Sequence, residues 1–125
     1  MIVGTGIDLV EVDRIQKAIE RHGQHFLDRV FTDAEVAYSE SKANRYERYA
    51  ARFAAKEAGM KALGTGMQQG VSFRDFEVVN GLGGRPSLRI SGKAAEIGQS
   101  MGVRNVQLSL THTSRQGMAI VILES

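Results

Sequence analysis

The feature that most constrains this chain is a long segment, from Asn44 to Leu63, in which apolar residues recur at helical spacing. Such spacing places them on one face of a helix, and that face has to be buried. Gly64 and Gly66 follow at once, and glycine often ends a helix because it adopts the left-handed conformation. In a chain of 125 residues, a helix of this length is predicted to run through the centre of the fold. Its apolar face comprises Tyr46, Tyr49, Ala50, Phe53, Ala54 and Met60, with Glu57 among them.

The rest of the chain alternates between strand and helix patterns. Strands are predicted over residues 2–12, 72–79, 87–90, 106–112 and 118–123. Helices are predicted over 13–30 with a break near Gly23, from a capping box of Thr32 and Glu35, and from Ser91 to about Met101. The apolar strand at 118–123 is expected to be central or buried at an interface. These patterns indicate an α+β fold with a small antiparallel sheet, and the length indicates a single domain, residues 1–125.

Composition excludes several classes of protein. Cysteine is absent, which excludes disulfide frameworks, zinc–thiolate sites and thiol nucleophiles. The chain carries 16 Lys and Arg against 14 Asp and Glu, a formal net charge of +2 that is too small to indicate a nucleic-acid partner. The longest apolar run, Met118 to Leu123, is far shorter than the ~20 residues of a membrane helix. The first residues lack the basic region of a signal peptide, so we expect a soluble cytoplasmic protein without a membrane partner.

Two carboxylates interrupt apolar patterns. Asp8 lies within the first strand, and Glu57 lies on the apolar face of the long helix. A buried carboxylate has to be paired or bound to a cation, because burying it unpaired is prohibitively unfavourable. Asp8 could cap a turn or pair with an arginine, and Glu57 could pair with Lys61 one turn later. Gly4 and Gly6, on the same side of the strand as Asp8, leave room for a ligand or for another backbone.

The alternative to simple pairing is a magnesium–phosphate site. Mg²⁺ is commonly held by one or two carboxylates together with substrate phosphates, and Lys61 would neutralise charge on such a phosphate. Gly59 inside the helix costs about 1 kcal/mol relative to alanine, which predicts another backbone packed beside Glu57. The backbone N–H groups around Gly64 and Gly66 would face an oxyanion.

Two further signals are each open to two interpretations. His112 ends the alternating strand, where it is either a core residue or a ligand-binding one. Arg14, Lys17 and Arg21 form a basic ridge on the first helix. This ridge is either a solvated face or a docking surface for an acidic helix of a partner protein.

Five segments, in order, closely resemble the holo-[acyl-carrier-protein] synthases, which are the small 4′-phosphopantetheinyl transferases. They are residues 4–8 (GTGID), 53–58 (FAAKEA, followed by Lys61), 64–66 (GTG), 85–86 (RP) and 109–113 (SLTHT). The resemblance spans essentially the whole chain, and FAAKEA is its most specific part. It implies a transferase-like fold and an enzyme of fatty acid synthesis. The implied reaction moves 4′-phosphopantetheine from coenzyme A to a serine of apo acyl carrier protein and releases adenosine 3′,5′-bisphosphate.

The resemblance also implies roles for particular residues. Asp8 and Glu57 would bind Mg²⁺, and Lys61 would complete the catalytic set. Arg14 and Arg21 would receive the acyl carrier protein. The family further implies a homotrimer with the coenzyme A sites between protomers. The coenzyme A site would include Arg45, Arg52, Gly64, Gly66, Pro86 and His112.

One position departs from the family pattern. Residue 60 is Met, where some members carry a small or hydroxylic residue, so a hydroxyl beside Lys61 is missing here. Two other functions fit the same carboxylates, namely a Mg²⁺-dependent nucleotide pyrophosphatase and a non-enzymatic nucleotide-binding trimer. The sequence leaves the general base open between Glu57 and a metal-bound water.

Overall fold

The long helix is present as predicted. In the computed structural model, which describes all residues from 1 to 125, it runs from Arg45 to Leu63 and ends at Gly64, whose φ of 77° is left-handed. Tyr49, Ala54 and Ala58 on this helix are fully buried, so it carries much of the core. In chain order the elements are β1 (Ile2–Glu11), α1 (Val12–His22), α2 (Gln24–Val30), α3 (Asp33–Glu40), α4 (Arg45–Leu63), β2 (Phe76–Asn80), β3 (Pro86–Ile90), α5 (Gly92–Ser100), β4 (Asn105–His112) and β5 (Gln116–Glu124).

The strands form two antiparallel sheets. β5 is the central strand of a three-stranded sheet in the order β1-β5-β4, and β2 pairs with β3 in a separate hairpin. The apolar strand predicted at 118–123 is therefore central, although it begins earlier, at Gln116. β1 and β5 are paired along their length, with Asp8 opposite Ala119. The architecture confirms an α+β fold in which a long helix packs on a small antiparallel sheet.

Glycines allow α4 to lie unusually close to the sheet. A Cβ atom on Gly6 would lie 1.9 Å from the carbonyl oxygen of Ala58, and one on Gly4 would lie 2.3 Å from that of Ala62. Both distances are far inside van der Waals contact, so only glycine fits. The sequence leaves open whether a ligand or another backbone occupies the space that Gly4 and Gly6 leave beside Asp8. In the structure, the backbone of α4 occupies it.

Gly59 has a different neighbour from the one predicted. A Cβ atom there would lie 2.7 Å from the Phe76 ring. Phe76 is fully buried and begins β2. The glycine therefore admits an aromatic side chain rather than a second backbone, and it joins the two-stranded hairpin to the face of α4 away from the larger sheet.

The capping box predicted for α3 is present, whereas β2 begins later than predicted and α5 is capped by a residue other than Ser91. Thr32 and Glu35 form the predicted capping box. The strand predicted from Ser72 begins only at Phe76, because Ser72 and Asp75 cap a short 3₁₀ turn at 73–75. Ser91 precedes α5, but its side chain does not cap the helix. Asp75 does so instead, because its carboxylate accepts the N–H of Ala94 at 3.3 Å.

The face of the larger sheet away from α4 is apolar and uncovered within the chain. Ile7, Leu9 and Ile120 on this face are 54%, 53% and 37% exposed, and Ile7 and Ile120 are directly paired across β1 and β5. We call this surface the outer sheet face. None of the helices combines the length and the apolar character that crossing a membrane would require.

Candidate active site

Asp8 and Lys61 meet where β1 and α4 pack together. The ammonium group of Lys61 donates to Asp8 Oδ1 at 3.0 Å and to the carbonyl oxygen of Ile7 at 3.1 Å. The Asp8 side chain is 16% exposed and that of Lys61 is 53% exposed, so the pair lies at the rim of the core. Lys61 thus pairs with Asp8 across two elements. The simpler alternatives, an Asp8–arginine pair and a Glu57–Lys61 ion pair within the helix, are both wrong.

Glu57 lies beside this pair without an ion-pair partner of its own. Burial, and then the negative charge of Asp8, raise the pKa of Glu57 above its ordinary value, whereas Lys61 and Arg14 oppose the shift. Burial and a neighbouring negative charge both make the ionised form of a carboxyl group less favourable. A cation bound between Asp8 and Glu57 would relieve this, so the geometry fits a cation site.

The number of ligands indicates which cation fits. No group of three or more His, Cys, Asp or Glu side chains is arranged to hold a metal. A two-carboxylate site is too poor in ligands for a structural zinc or a calcium cage. It suits Mg²⁺, which retains waters and takes substrate phosphates as further ligands.

The predicted coenzyme A residues do not share one cavity within a single chain. Arg52 lines a cavity of about 380 Å³ together with Tyr38 and Arg89. Pro86 lines a different cavity, of about 560 Å³, between the β2–β3 hairpin and β4. A chain on its own therefore presents these residues on separate surfaces.

His112 and Arg45 each pair with a carboxylate. His112 is half-buried, and its Nδ1 lies 2.9 Å from Glu47 Oε1 at the start of α4. Arg45 is exposed, lies 3.9 Å from Glu40 and stacks over the Tyr46 ring at 4.8 Å. His112 is therefore not an isolated core residue. One of its two ring nitrogens, Nδ1, already contacts Glu47.

The first N–H groups of the turn after α4 do not face an oxyanion site, contrary to the prediction. The N–H of Gly64 donates to the carbonyl oxygen of Lys61 at 3.0 Å, and that of Thr65 donates to Met60 at 3.2 Å. These donors end the helix in a left-handed cap and are not free for an oxyanion. Gly66, with a φ of 55°, is required to turn the chain.

The basic ridge on α1 borders a shallow cavity of about 270 Å³, lined by Arg14, Lys17 and Arg21 among others. Lys17 is neutralised by Asp13 at 2.8 Å. Arg14 lies over the Phe53 ring of α4 at 5.7 Å, and its charge is close enough to Glu57 to oppose the rise in the pKa of that carboxyl. The ridge therefore adjoins the Asp8–Glu57 site, and Arg14 and Arg21 supply its free positive charge.

Comparison with known proteins identifies the family. Residues 4–118 match the profile of the 4′-phosphopantetheinyl transferase superfamily. The chain belongs to this superfamily. It is 60% identical over its full length to a holo-[acyl-carrier-protein] synthase of Solibacter usitatus, covering 100% of both chains. It is 56% identical to the one of Koribacter versatilis, covering 99% of each. The resemblance seen in the sequence is thus confirmed.

Solved structures of transferases from this superfamily have the same fold. The holo-[acyl-carrier-protein] synthase of Neisseria meningitidis superimposes with a TM-score of 0.90 at 32% identity, covering 100% of each chain. The one of Bacillus anthracis, in complex with coenzyme A (3′,5′-ADP), gives 0.82 at 38% identity over 100% of this chain and 98% of that one. The one of Helicobacter pylori, also in complex with coenzyme A, gives 0.84 at 28% identity, covering 96% and 99%.

A buried ion pair between Lys56 and Glu35 is the main feature of the chain that the sequence did not predict. The two charged atoms are 2.7 Å apart, and both side chains are 0% exposed. The sequence assigned Glu35 to a capping box, which it does form, and that role concealed the second one. The available signal was Lys56 itself, because it lies one turn after Phe53 and one turn before Met60, both of which belong to the apolar face of the helix.

Proposed function

We propose that this chain transfers the 4′-phosphopantetheine group of coenzyme A to a serine of apo acyl carrier protein, as a holo-[acyl-carrier-protein] synthase of fatty acid synthesis. The observation that carries this proposal is the cluster of Asp8, Glu57 and Lys61 at the β1–α4 contact. It occurs in a chain 60% identical, end to end, to a protein of that name. In the reaction, the serine hydroxyl gives its proton to a general base, and its oxygen forms a bond to the β-phosphorus of coenzyme A. The pyrophosphate P–O bond breaks, and adenosine 3′,5′-bisphosphate leaves.

We propose Mg²⁺ as the cofactor, with Asp8 and Glu57 as its protein ligands. When bound, the ion polarises phosphate oxygens and neutralises their charge. The chain's own part is to hold the two carboxylates on β1 and α4, which the close α4–sheet packing fixes relative to each other. Lys61, oriented by its hydrogen bond to the carbonyl oxygen of Ile7, supplies positive charge toward the leaving phosphate.

We propose that the working form is a homotrimer in the cytoplasm, with coenzyme A bound between protomers and each 125-residue chain acting as one domain. The outer sheet face supports this, since exposed Ile7 and Leu9 form an apolar surface of the kind that associates. The separation of Arg52 and Pro86 into different cavities also supports it. A ligand that contacts both would bridge two copies of the chain.

Arg14 and Arg21 are the proposed contacts of the acyl carrier protein. Their ridge adjoins the Asp8–Glu57 site, so an acidic helix docked there would bring its serine close to the phosphates. The competing functions, a nucleotide pyrophosphatase and a non-enzymatic nucleotide-binding trimer, would have no use for such a ridge.

The deciding experiment is incubation of the protein with apo acyl carrier protein, coenzyme A and Mg²⁺, followed by intact mass spectrometry. We expect the carrier to gain the mass of one phosphopantetheine. Hydrolysed coenzyme A beside an unmodified carrier would favour the pyrophosphatase. Intact coenzyme A beside an unmodified carrier would leave only nucleotide binding.

A further inference from the structure

The interface between α3 and α4 contains two polar contacts stacked one helical turn apart. Glu35 and Tyr38 follow each other by one turn on α3, and Arg52 and Lys56 do so on α4. Residues at these spacings share one helix face. Glu35 faces Lys56, and Tyr38 faces Arg52.

The Glu35–Lys56 contact is closed to solvent and fully satisfied. The ammonium of Lys56 bonds to Glu35 Oε1 at 2.7 Å and donates to the carbonyl oxygens of Phe73 and Phe76. Glu35 Oε2 accepts the N–H of Val78 at 2.8 Å. A pair with no unused donor has nothing to offer a ligand. Its effect is to fix α3, α4 and β2 relative to one another.

Arg52 is the opposite case. Its side chain belongs to a residue only 4% exposed, yet its Nε has no hydrogen-bond partner. The guanidinium lies over the Tyr38 ring, 4.1 Å from the centroid. Both residues line the cavity of about 380 Å³ that also contains Glu77 and Arg89.

An unpaired donor at this depth is unfavourable unless a ligand supplies the acceptor. Arginine suits phosphate and carboxylate groups because its planar fork of N–H donors matches their oxygens. The fork is useful only if it is held still, since a long side chain loses rotamer freedom on binding. In this chain the Tyr38 ring restrains the guanidinium, and the buried pair restrains the helix that carries Tyr38.

We propose that Glu35, Lys56 and Tyr38 are positioning residues for Arg52. The buried pair sets the register of α3 on α4, and the Tyr38 ring then holds the guanidinium at the cavity wall, facing an anionic group of the ligand. This inference rests on the proposed function, in which that group is a phosphate of coenzyme A.

The first test removes the ring. Tyr38→Leu keeps an apolar side chain on the half-buried face of α3 but loses the surface on which the guanidinium stacks, whereas Tyr38→Phe retains that surface. We expect Tyr38→Leu to weaken coenzyme A binding by about tenfold and to raise the KM for coenzyme A in parallel. The kcat and the KM for the carrier should not change. Tyr38→Phe should resemble the wild type.

Equal behaviour of the two Tyr38 variants would overturn the stacking role. Wild-type affinity in Tyr38→Leu would overturn the proposal for that residue. A loss that falls equally on coenzyme A and carrier would indicate a general structural defect and would also count against it.

The second test removes the buried charges together. The double variant Glu35→Gln with Lys56→Met keeps both side-chain shapes and leaves no unpaired buried charge. Its control is Glu96→Gln with Lys93→Met, which neutralises an exposed pair 3.7 Å apart on α5. We expect only the buried double variant to raise the KM for coenzyme A, by severalfold, with the carrier KM unchanged. If the Glu35→Gln, Lys56→Met variant folds and its KM for coenzyme A is unaltered, the buried pair has no positioning role. If that variant does not fold, the Tyr38 variants decide whether Arg52 is held in position.

Direct titration with coenzyme A in the absence of carrier keeps the two proposals apart. A wild-type chain that binds coenzyme A but transfers nothing would refute the proposed function and leave the positioning roles testable by affinity alone. A wild-type chain that binds no coenzyme A would overturn both.

Discussion

At the scale of single residues, the central observation is that Asp8, Glu57 and Lys61 form an asymmetric charged group. Lys61 is bonded to Asp8, while Glu57 has no ion-pair partner and its pKa is raised. The negative charge of the two carboxylates is therefore only partly balanced by the positive charges of the chain. An added divalent cation would complete the compensation.

The two carboxylates should be separately essential for transfer. We expect Asp8→Asn and Glu57→Gln each to lower kcat/KM by at least about 100-fold, since even outer-shell partners of metal ligands are worth 10–100-fold. Circular dichroism should show a native fold in both. Glu96→Gln, which changes an exposed carboxylate on α5, serves as the control. Transfer at the wild-type rate in either site variant would contradict the assignment of metal ligands.

The raised pKa of Glu57 predicts a pH-dependent effect on stability. A carboxyl group whose pKa is higher in the folded than in the unfolded chain opposes folding once the unfolded chain has lost that proton. The penalty is absent well below the ordinary pKa of 4.5, grows as the pH rises through it, and is complete above the raised value. Glu57→Gln should therefore raise the Tm of the metal-free protein at neutral pH.

The measurement is thermal unfolding in EDTA at neutral pH and at about pH 4. The gain in Tm should shrink toward the acidic condition. In separate samples without EDTA at neutral pH, added Mg²⁺ should stabilise the wild type and not the variant. A gain in Tm of equal size at both pH values would mean that desolvation of the carboxylate is not its cause.

At the scale of elements, the site depends on how closely α4 approaches the sheet. Gly6→Ala would place a Cβ atom 1.9 Å from the carbonyl oxygen of Ala58, and the helix would have to move. We expect a loss of about 1–3 kcal/mol in the free energy of unfolding, as for other overpacked cores. Transfer activity should fall with it, because Asp8 and Glu57 are carried by the two elements that separate. Urea denaturation and initial rates measure these effects.

Gly98→Ala is the matched control for this change. Gly98 lies within α5, and the nearest atoms to a new Cβ there would be 3.8 Å away. Alanine is the better helix former by up to about 1 kcal/mol, so this variant should be as stable as the wild type or more so. If Gly6→Ala were equally well tolerated, close packing would not be what places the two carboxylates.

The sequence predicts the elements that local chemistry determines. α4 begins and ends within a residue of its predicted bounds, because its apolar periodicity and terminal glycine are strong signals. The start of β2 is mispredicted because Ser72 and Asp75 cap a 3₁₀ turn; this capping pattern is local, but the strand prediction did not take it into account. The Asp8–Lys61 bond joins residues far apart in sequence, so the pattern could identify both residues but not their pairing.

At the scale of the whole molecule, the outer sheet face is the surface to test. If the trimer forms there, Ile120→Glu should convert it to a monomer, because each copy would bury an unpaired charge. Light scattering after gel filtration would report the mass. Ala43→Glu introduces the same charge at an exposed position before α4 and should leave the mass unchanged. A trimeric Ile120→Glu protein would place the interface elsewhere.

The carrier protein should be recognised by charge over a wider surface than the active site. Arg21 is the cleaner probe, because Arg14 also influences Glu57. We expect Arg21→Glu to raise the KM for the carrier by about tenfold through slower association, with the coenzyme A KM unchanged and the difference reduced at high salt. Arg29→Glu on α2 makes the same charge reversal as a control. An unchanged carrier KM in Arg21→Glu would remove the docking role.

The strand order has a consequence for how the chain acquires its site. Asp8 lies on β1, yet β1 is paired only with β5, and every other element lies between them along the chain. Pairings across so many residues form late and slowly, since a long loop has to close first. During synthesis, Asp8 emerges from the ribosome before Glu57 and Lys61, but its strand has no partner until β5 has been made. Of the two site carboxylates, the one made first is thus the one placed last. In a chain arrested before β5, the side of α4 that faces the larger sheet would have no paired strand to pack against.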